Sequence, residues 1–527
     1  MSSLAGTWNV KATVADPYAN RYLIAFTVTL AAIMELLDTS IVNVAIPHMM
    51  GTLGATIDQI TWVSTGYIVA NVIVLPLTGW LSALFGRRRY FAGSIAIFTL
   101  ASLFCGNAHS LPVLVFWRIV QGLGGGALLS TAQATLYETF PPDEYGTAMA
   151  IFGMGVMVGP TLGPTLGGYL TDAFSWPWIF YINLPFGIAA FLLTLAFIRD
   201  SRHAAPAGKP DVLGLGLLVI GIGALQTLLE RGERLDWFSS REIVTLAIAS
   251  GLGIALFIWR ELASDHPIVD LRILKNRQFA TGVVMAAVLG TCLYGPVFLL
   301  PIYLQELQGF TANQTGLVIL PGAIASAITM AFTARLANKT DARPMVMIGA
   351  VLFSISMWRW SLFTLDSGRP DFFWPLVLRG IGLGLVFVPL TNLSLAELPM
   401  SKIAQGTGLN NLLRQLGGSV GIAITATFFT RIQVQARSAL GENITSFSQA
   451  TQQRLAGLSS YLVAHGTPLV MARQKAVALL QGEVARQAMM IAFERLFLLF
   501  GLIFLIALPL LAFMKRARRS GGGELAH

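Results

Sequence analysis

Apolar runs long enough to cross a bilayer recur along this chain from one end to the other. A transmembrane helix needs roughly 20 consecutive apolar residues. Only 12% of the 527 residues are charged, which is about half the share in an ordinary soluble domain. This excludes a large soluble enzyme, a disordered protein and a nucleic-acid binder. Fourteen such runs are found, at 22–44, 60–82, 90–106, 111–133, 146–170, 177–198, 212–229, 243–260, 279–304, 314–336, 345–363, 372–396, 406–430 and 491–514.

The fold class that this pattern predicts is an all-α polytopic membrane protein. The first 21 residues are polar, and the apolar run behind them is too long for a cleavable signal peptide, so this run is expected to remain as a signal anchor. The two cysteines, Cys105 and Cys292, both lie inside apolar runs. They build neither a disulfide framework nor a metal site, so no metal and no other cofactor is expected.

The orientation in the membrane follows from the positive charges in the short loops, because cytoplasmic loops carry an excess of Lys and Arg. With the N-terminus inside, the inner segments hold 20 such residues and the short outer loops hold four. Both termini are therefore expected in the cytoplasm. The longest loop, 431–490, is then outside. Its leucines and valines at helical spacing predict an amphipathic surface for the membrane or for a partner helix.

Three features recur at nearly one spacing and indicate an internal repeat. The loop signals that begin at Gly79 and Ala334 lie 255 positions apart, and Arg118 and Arg379 lie 261 positions apart. A glycine-rich stretch at 155–168 has a counterpart at 406–421. Two repeats about an axis along the membrane normal are a known plan of transporters, with the substrate site between them near the midplane.

The repeat divides the chain into two six-helix halves with two extra helices between them. The predicted parts are a cytoplasmic segment 1–21, a first half 22–198, the two extra helices with their linkers 199–278, a second half 279–514 that includes the outer loop 431–490, and a cytoplasmic tail 515–527.

Two acidic residues lie deep in the first apolar run, where a charge costs roughly 2.5–3.5 kcal/mol on insertion scales. Glu35 and Asp38 are three residues apart and share one helix face, which we expect to line the cavity between the halves. Two carboxylates this close disfavour double ionisation, so one of them is expected to hold a proton more readily. A proton carrier needs such a group. The alternative for Asp38 is a purely structural role, in which it accepts hydrogen bonds and never exchanges a proton.

Three arginines are also predicted deep in the membrane. Arg118 is always charged, so its guanidinium needs an anion, carbonyl groups or water inside the protein. It either pairs transiently with a first-run carboxylate or the substrate, or it braces the half through backbone carbonyls. For Arg379 and Arg414 we favour bracing roles.

The glycine-rich stretch in the fifth run has a mechanical interpretation. Glycines four residues apart form a smooth helix face on which another helix packs closely, and each proline removes a backbone hydrogen bond and kinks the helix. We expect this helix to form a hinge or a seal between the halves. The motif residues are Gly155, Gly159, Pro160, Gly163, Pro164, Gly167 and Gly168. Candidate substrate contacts elsewhere are Asn43, Tyr294 and Asn410.

These motifs resemble those of the major facilitator superfamily, in its fourteen-span drug:proton antiporter branch with the Emr-type multidrug exporters. The resemblance covers nearly the whole chain, and the fifth-run motif, typical of exporters, is its most specific part. It rests on LDTSIVNVAIP at 37–47, Arg118-x-x-Gln121-Gly122, the glycine motif at 155–168, LDWFSS at 235–240 and PIVDL at 267–271.

The resemblance implies a proton-driven antiporter of the bacterial inner membrane that exports hydrophobic and amphipathic drugs, with a periplasmic adaptor and an outer-membrane channel as partners. It is not expected to be an enzyme. The rival interpretations are a proton-coupled symporter for a nutrient or siderophore on the same fold, and a membrane sensor or enzyme without transport. One departure concerns the loop after the second run, where Ala83 replaces the usual acid, so the usual charge relay is not expected.

Overall fold

The computed structural model describes residues 20–201, 211–265, 267–337, 340–442, 444–445 and 447–514. Within these ranges the chain is helical and has no β-strand. The two predicted cytoplasmic ends, 1–21 and 515–527, lie outside the described residues except for positions 20 and 21. The fold class predicted from the sequence is confirmed.

The first half consists of six long helices that follow the first six apolar runs. They are α1 (Arg21–Leu53), α2 (Asp58–Phe85), α3 (Arg87–Gly106), α4 (Leu111–Thr139), α5 (Tyr145–Ala173) and α6 (Trp178–Phe197). Helix α1 ends at Gly54, whose φ of 62° is a left-handed conformation that only glycine adopts at low cost.

Two extra helices follow, α7 (Val212–Arg231) and α8 (Arg241–Ala263), and they pack on each other. Asp211 caps α7 by accepting a hydrogen bond from the Gly214 amide at 3.1 Å, and its carboxylate also accepts one from Arg260 Nε at 2.8 Å. The hydrogen bond from Arg260 is the main cause that lowers the pKa of Asp211 below its ordinary value. One ion pair therefore joins the start of α7 to the end of α8.

The second half contains six helices that correspond to those of the first half and one additional helix outside. The helices are α9 (Arg277–Leu307), α10 (Ala312–Ala337), α11 (Ala342–Trp360), α12 (Arg369–Leu395), α13 (Ile403–Glu442), α14 (Gln449–Ala464) and α15 (Leu469–Ala507).

Twelve helices of the described residues are long and apolar enough to span a membrane, or thirteen if the two segments of α5 count as one span. These segments meet at a bend of 41° near Pro160, where a proline is expected to kink a helix. The remaining predicted run, 345–363, forms α11, which carries Arg343 and Arg359 near its ends. All fourteen predicted runs are thus helical, which is compatible with fourteen spans.

Helix packing repeats between the halves. In the first half α1 packs on α5, and both α2 and α3 pack on α4. In the second half α9 packs on α13, and both α10 and α11 pack on α12. The extra helix α7 contacts α2 of one half and α13 of the other, and Gln226 of α7 donates a hydrogen bond to Ser419 of α13 at 2.8 Å.

The long outer loop is more helical than its polar composition indicates. Helix α13 has 40 residues in total and continues past its predicted span to Glu442. Helix α15 begins at Leu469, 22 residues before its predicted span. Their extensions are rich in Ala, Gln, Leu and Arg, which are good helix formers. Between them, α14 packs on α15, and Arg454 forms an ion pair with Glu483 at 2.6 Å. Part of the predicted amphipathic surface is therefore covered within the chain.

The two halves are tied together on the side where α4 ends and α13 begins. Asn411 of α13 donates hydrogen bonds to Ser130 at 3.2 Å and Gln133 at 2.8 Å, both on α4. Tyr137 of α4 donates one to Asn392 of α12 at 2.7 Å. In the predicted orientation this side faces the cytoplasm, so the halves are in direct contact there.

Candidate functional site

The two acidic residues of α1 are both buried, with Glu35 4% exposed and Asp38 fully covered. They lie three residues apart in a helix whose neighbouring hydroxyl groups, those of Thr39 and Ser40, donate to backbone oxygens and to neither carboxylate. The Thr39 hydroxyl, for example, donates to the Glu35 carbonyl oxygen at 3.0 Å. The Thr39 hydroxyl thus bonds within α1, and the hydrogen-bond donors to the two carboxylates come from other helices.

Asp38 has hydrogen-bond donors on both carboxylate oxygens. Arg118 Nη1 of α4 lies 2.6 Å from Oδ2. Oδ1 accepts hydrogen bonds from Gln121 at 2.9 Å and from Asn183 of α6 at 2.8 Å. A guanidinium and two amides thus satisfy both oxygens of this buried carboxyl group, and the hydrogen bond from the guanidinium is the strong, charge-assisted kind. Asp38 therefore ties α1, α4 and α6 together.

Arg118 contacts both kinds of partner that the sequence analysis considers, a carboxylate of the first run and a backbone carbonyl. Its guanidinium pairs with Asp38, and its Nε also donates to the Val63 carbonyl oxygen at 3.0 Å. The Tyr67 ring lies 4.1 Å from the guanidinium carbon, a distance suited to a cation–π contact. One side chain therefore binds a carboxylate, a backbone carbonyl and an aromatic face.

Glu35 has much weaker partners than Asp38. Its Oε1 accepts one hydrogen bond, from Asn71 of α2 at 2.9 Å. Its Oε2 is buried and has no hydrogen-bond partner among the residues that the structure describes. A buried polar atom without a partner is costly, and a protonated carboxyl group loses less by such burial than a carboxylate does.

The second half contributes Arg414 and Tyr294 to the surroundings of Glu35, and Arg414 lies close enough to Glu35 for an electrostatic interaction between the two side chains. Arg414 of α13 is 4% exposed, donates to Asn411 Oδ1 at 2.5 Å and lies 5.2 Å from the Phe387 ring centre. It forms no ion pair within the described part of the chain. Arg414 is thus a buried cation that donates a hydrogen bond to a neutral amide.

The three candidate substrate residues do not lie in one cluster. Tyr294 of α9 packs against Gly418 of α13 and belongs to the cluster around Glu35. Asn410 lies one turn before Arg414 and is buried, and its Oδ1 lacks a partner among the described residues. Asn43 lies two turns beyond Glu35 on α1 and is exposed. The structure therefore brings Tyr294 and Asn410 near the buried charges but leaves Asn43 apart.

Arg379 of α12, the repeat counterpart of Arg118, is 7% exposed. Its Nε has no hydrogen-bond partner and its guanidinium no ion pair among the described residues. The bracing role of Arg379 stays a prediction.

The glycine motif of α5 packs on α1. A side chain at Gly159 would approach Leu36 Cβ at 2.7 Å, and one at Gly167 would approach the Ile41 backbone oxygen at 2.9 Å. At Gly168, in contrast, the nearest atom lies 3.9 Å away. Helix α5 also contacts α10 of the second half. The motif thus allows α5 to lie tightly against the helix that carries both acidic residues.

The loop after α2 has an ion pair although Ala83 replaces the usual acid. Arg87 Nη2 lies 2.6 Å from Glu138 Oε1 at the end of α4, and the Ser201 hydroxyl donates to the same oxygen. The Arg88 amide donates to Asp200 at 3.0 Å. The acids that hold this loop therefore come from the ends of α4 and α6.

Sequence reasoning did not assign to any amide the role of holding the acidic pair, although Gln121 belongs to the motif of the fourth run. Asn71, Gln121 and Asn183 each donate to Glu35 or Asp38. Each is a polar residue inside an apolar run, which is the signal that could have found them, because polar side chains in membrane helices bond across helices.

The comparisons with known proteins agree with this architecture. The family model described as Major Facilitator Superfamily matches residues 28–422. The chain belongs to the Major Facilitator Superfamily. It is 37% identical to the multidrug export protein EmrB of Escherichia coli (strain K12) over 96% of this chain and 97% of that protein. It is 36% identical to the fatty acid resistance protein FarB of Neisseria gonorrhoeae over 94% and 96%. The chain is thus an EmrB-like member of the superfamily.

Solved structures show the same fold at low identity. The proton:xylose symporter XylE aligns with a TM-score of 0.58 at 12% identity, over 94% of this chain and 96% of that one. The human organic anion transporter MFSD10 aligns with a TM-score of 0.57 at 14% identity, over 92% and 99%. These relatives are transporters, and this chain is a multi-span membrane protein of the same fold.

Proposed function

We propose that this protein is a proton-coupled antiporter that exports hydrophobic and amphipathic drugs by alternating access. The names of its relatives support the substrate class, since EmrB is a multidrug export protein and FarB a fatty acid resistance protein. The proton gradient can drive such export, because one proton that enters through a potential of 100 mV releases about 2.3 kcal/mol. In an antiporter, this inward movement of the proton is coupled to the outward movement of the drug.

The observation that carries the proposal is the difference between the two carboxylates of α1. Asp38 accepts hydrogen bonds from three side chains, one of them the Arg118 guanidinium, whereas Glu35 has one neutral donor and, among the described residues, one oxygen without a partner. A group that must gain and lose a proton in each cycle cannot be fixed in one state. Glu35 is therefore the proposed proton carrier, and Asp38 with Arg118 forms the charged frame beside it.

Protonation of Glu35 would change the attraction between the halves. The Glu35 carboxylate attracts Arg414 across the interface, and its protonation removes this attraction. A proton can thereby bias the equilibrium between two arrangements of the halves. A drug that binds beside Tyr294, Asn410 and Arg414 would act on the same balance, which is the coupling that antiport requires.

Alternating access also requires the tied side to open. The hydrogen bonds from Asn411 to Gln133 and from Tyr137 to Asn392 would then break. Each such bond contributes only about 0.5–1.5 kcal/mol, so opening is within reach of drug and proton binding.

The test is proton release from the purified, detergent-solubilised protein when a panel of hydrophobic drugs is added. We expect release from the wild type and from the control Asp366→Asn, an exposed acid in the loop before α12, and no release from Glu35→Gln that still binds drug. Loss in Asp38→Asn with release retained in Glu35→Gln would assign the carrier to Asp38 instead. Drug binding without release would contradict antiport, and proton uptake on binding would favour the symporter.

We further propose that the protein lies in the bacterial inner membrane and works with a periplasmic adaptor and an outer-membrane channel. Helix α13 has 40 residues and is about 60 Å long, twice the roughly 30 Å hydrocarbon core, so it projects from the membrane together with α14 and α15. A photoreactive residue at Tyr461 of α14 should cross-link to the adaptor in cells. The matched control at Trp259, exposed on α8, should not.

A further inference from the structure

A groove between α11 and α15 opens on the membrane-facing surface of the second half. It has a volume of about 260 Å³. Its outer walls consist of six apolar side chains, each 38% to 50% exposed, namely Val351, Ile355 and Trp358 of α11 and Leu498, Leu502 and Leu505 of α15.

The floor of the groove is formed where the two helices touch. The Ser354 hydroxyl donates to the Gly501 carbonyl oxygen at 2.8 Å, and a side chain at Gly501 would approach Met357 Cβ at 3.1 Å. At the inner ends, Arg343 Nη1 donates to the Met514 carbonyl oxygen at 3.1 Å. These two contacts show that α11 and α15 run antiparallel.

Two arginines flank the end of the groove that lies away from Arg343. Arg359 follows Ile355 by one turn on α11, and Arg495 precedes Leu498 by one turn on α15. Because the helices are antiparallel, both lie beyond the Ser354–Gly501 contact on the same side, which is the outer side in the predicted orientation. Both are exposed, and neither forms an ion pair within the residues that the structure describes.

We propose that this groove binds one phospholipid with a negatively charged headgroup. One acyl chain lies between α11 and α15, and the phosphate lies between Arg359 and Arg495. From Leu498 to Leu505 the groove runs about 10 Å, two thirds of the depth of one leaflet of a roughly 30 Å core. Charge complementarity favours an anionic headgroup, because exposed arginines at the membrane surface attract anionic lipids.

The charge arm of the test uses native mass spectrometry of the purified full-length protein in detergent. We titrate it with phosphatidylglycerol or with phosphatidylethanolamine of the same acyl chains. Each arginine is expected to contribute roughly fivefold, so Arg359→Gln with Arg495→Gln should weaken phosphatidylglycerol binding about 25-fold. The control Arg241→Gln, an exposed arginine at the outer end of α8, should bind like the wild type.

The second set of variants keeps both arginines and fills the part of the groove where the acyl chain would lie. Ile355→Trp should lose the bound phospholipid, as should Leu502→Trp, while Ile248→Trp on the exposed surface of α8 should retain it. Equal binding of both lipids, or unchanged binding in both groove variants, would overturn the proposal. So would preferential binding of free oleate, or a dimer of this chain that the groove variants dissociate.

Discussion

The two halves of this transporter share one packing plan but use their buried arginines differently. Arg118 of α4 contacts a carboxylate, a carbonyl oxygen and an aromatic ring. Arg379, its counterpart on α12, has no ion pair among the described residues. The reason lies in the first helix of each half, since α1 carries Glu35 and Asp38 whereas residues 279–302 of α9 contain no acid. The repeat has therefore kept the helix contacts and concentrated the acidic chemistry in one half.

The largest expected effect comes from removing the paired arginine. Arg118→Met leaves Asp38 buried without its counter-charge, and breaking a buried ion pair in this way costs about 3–5 kcal/mol. Arg379→Met leaves no carboxylate behind and should cost far less. Thermal unfolding of the two purified variants beside the wild type measures the difference. Equal losses would contradict the contrast between the halves.

The next prediction concerns the pair itself. Asp38→Asn combined with Arg118→Gln removes both charges and should recover much of the stability that Arg118→Gln loses alone, because replacing both partners removes the unpaired charge. The coupling energy expected from the double-mutant cycle is about 0.5–3 kcal/mol. Additive losses, seen in the same unfolding assay, would indicate that the two side chains act independently.

A third prediction compares the close helix contacts of the two halves. Gly159→Ala in α5 meets Leu36, and Gly417→Ala in α13 meets the Ala287 carbonyl oxygen, so both should destabilise the protein by about 1–3 kcal/mol. Gly168→Ala has 3.9 Å of space and is the matched control. A loss at Gly168 equal to that at Gly159 would show that the glycines serve the backbone and not the packing.

The smallest effect is expected at the contact between the halves. Tyr137→Phe removes the hydrogen bond to Asn392 and should destabilise the tied state by about 1 kcal/mol. A cysteine placed at Gln405, which packs against Gly79, should then react faster with a water-soluble maleimide from the inner side. Tyr181→Phe, which loses a hydrogen bond to Asn107 within the first half at 3.1 Å, is the control for losing a tyrosine hydroxyl elsewhere. Faster labelling in both variants to the same degree would argue against a special role for Tyr137.

The sequence predicted the fold because the membrane constrains it so strongly. A run of about 20 apolar residues has few stable structures in lipid other than a helix, so all fourteen runs could be placed. The extensions of α13 and α15 beyond the membrane could not, since hydropathy carries no signal for a helix in water. Helix propensity and the spacing of Leu455, Leu458 and Leu462 were the remaining clues.

The site was harder to predict from the sequence. Buried charge identified Glu35, Asp38 and Arg118, because any charge in a span needs a partner. Which partner it finds depends on how helices distant in the chain are packed, as with Asn183, which lies 145 residues from Asp38. For the same reason the sequence alone could not show that both carboxylate oxygens of Asp38 accept hydrogen bonds, whereas only one of those of Glu35 does so among the described residues.

The unbroken length of α13 has a mechanical consequence. Its inner part, at Thr407 and Asn411, is bonded to the opposite half, and in the predicted orientation its outer part extends beyond the membrane to Glu442. A rod about 60 Å long that tilts by about 10° around its inner end sweeps its tip sideways by roughly 10 Å. Spin labels near the tip would record this displacement. A partner protein bound to the outer part of α13 would be displaced with it in every transport cycle.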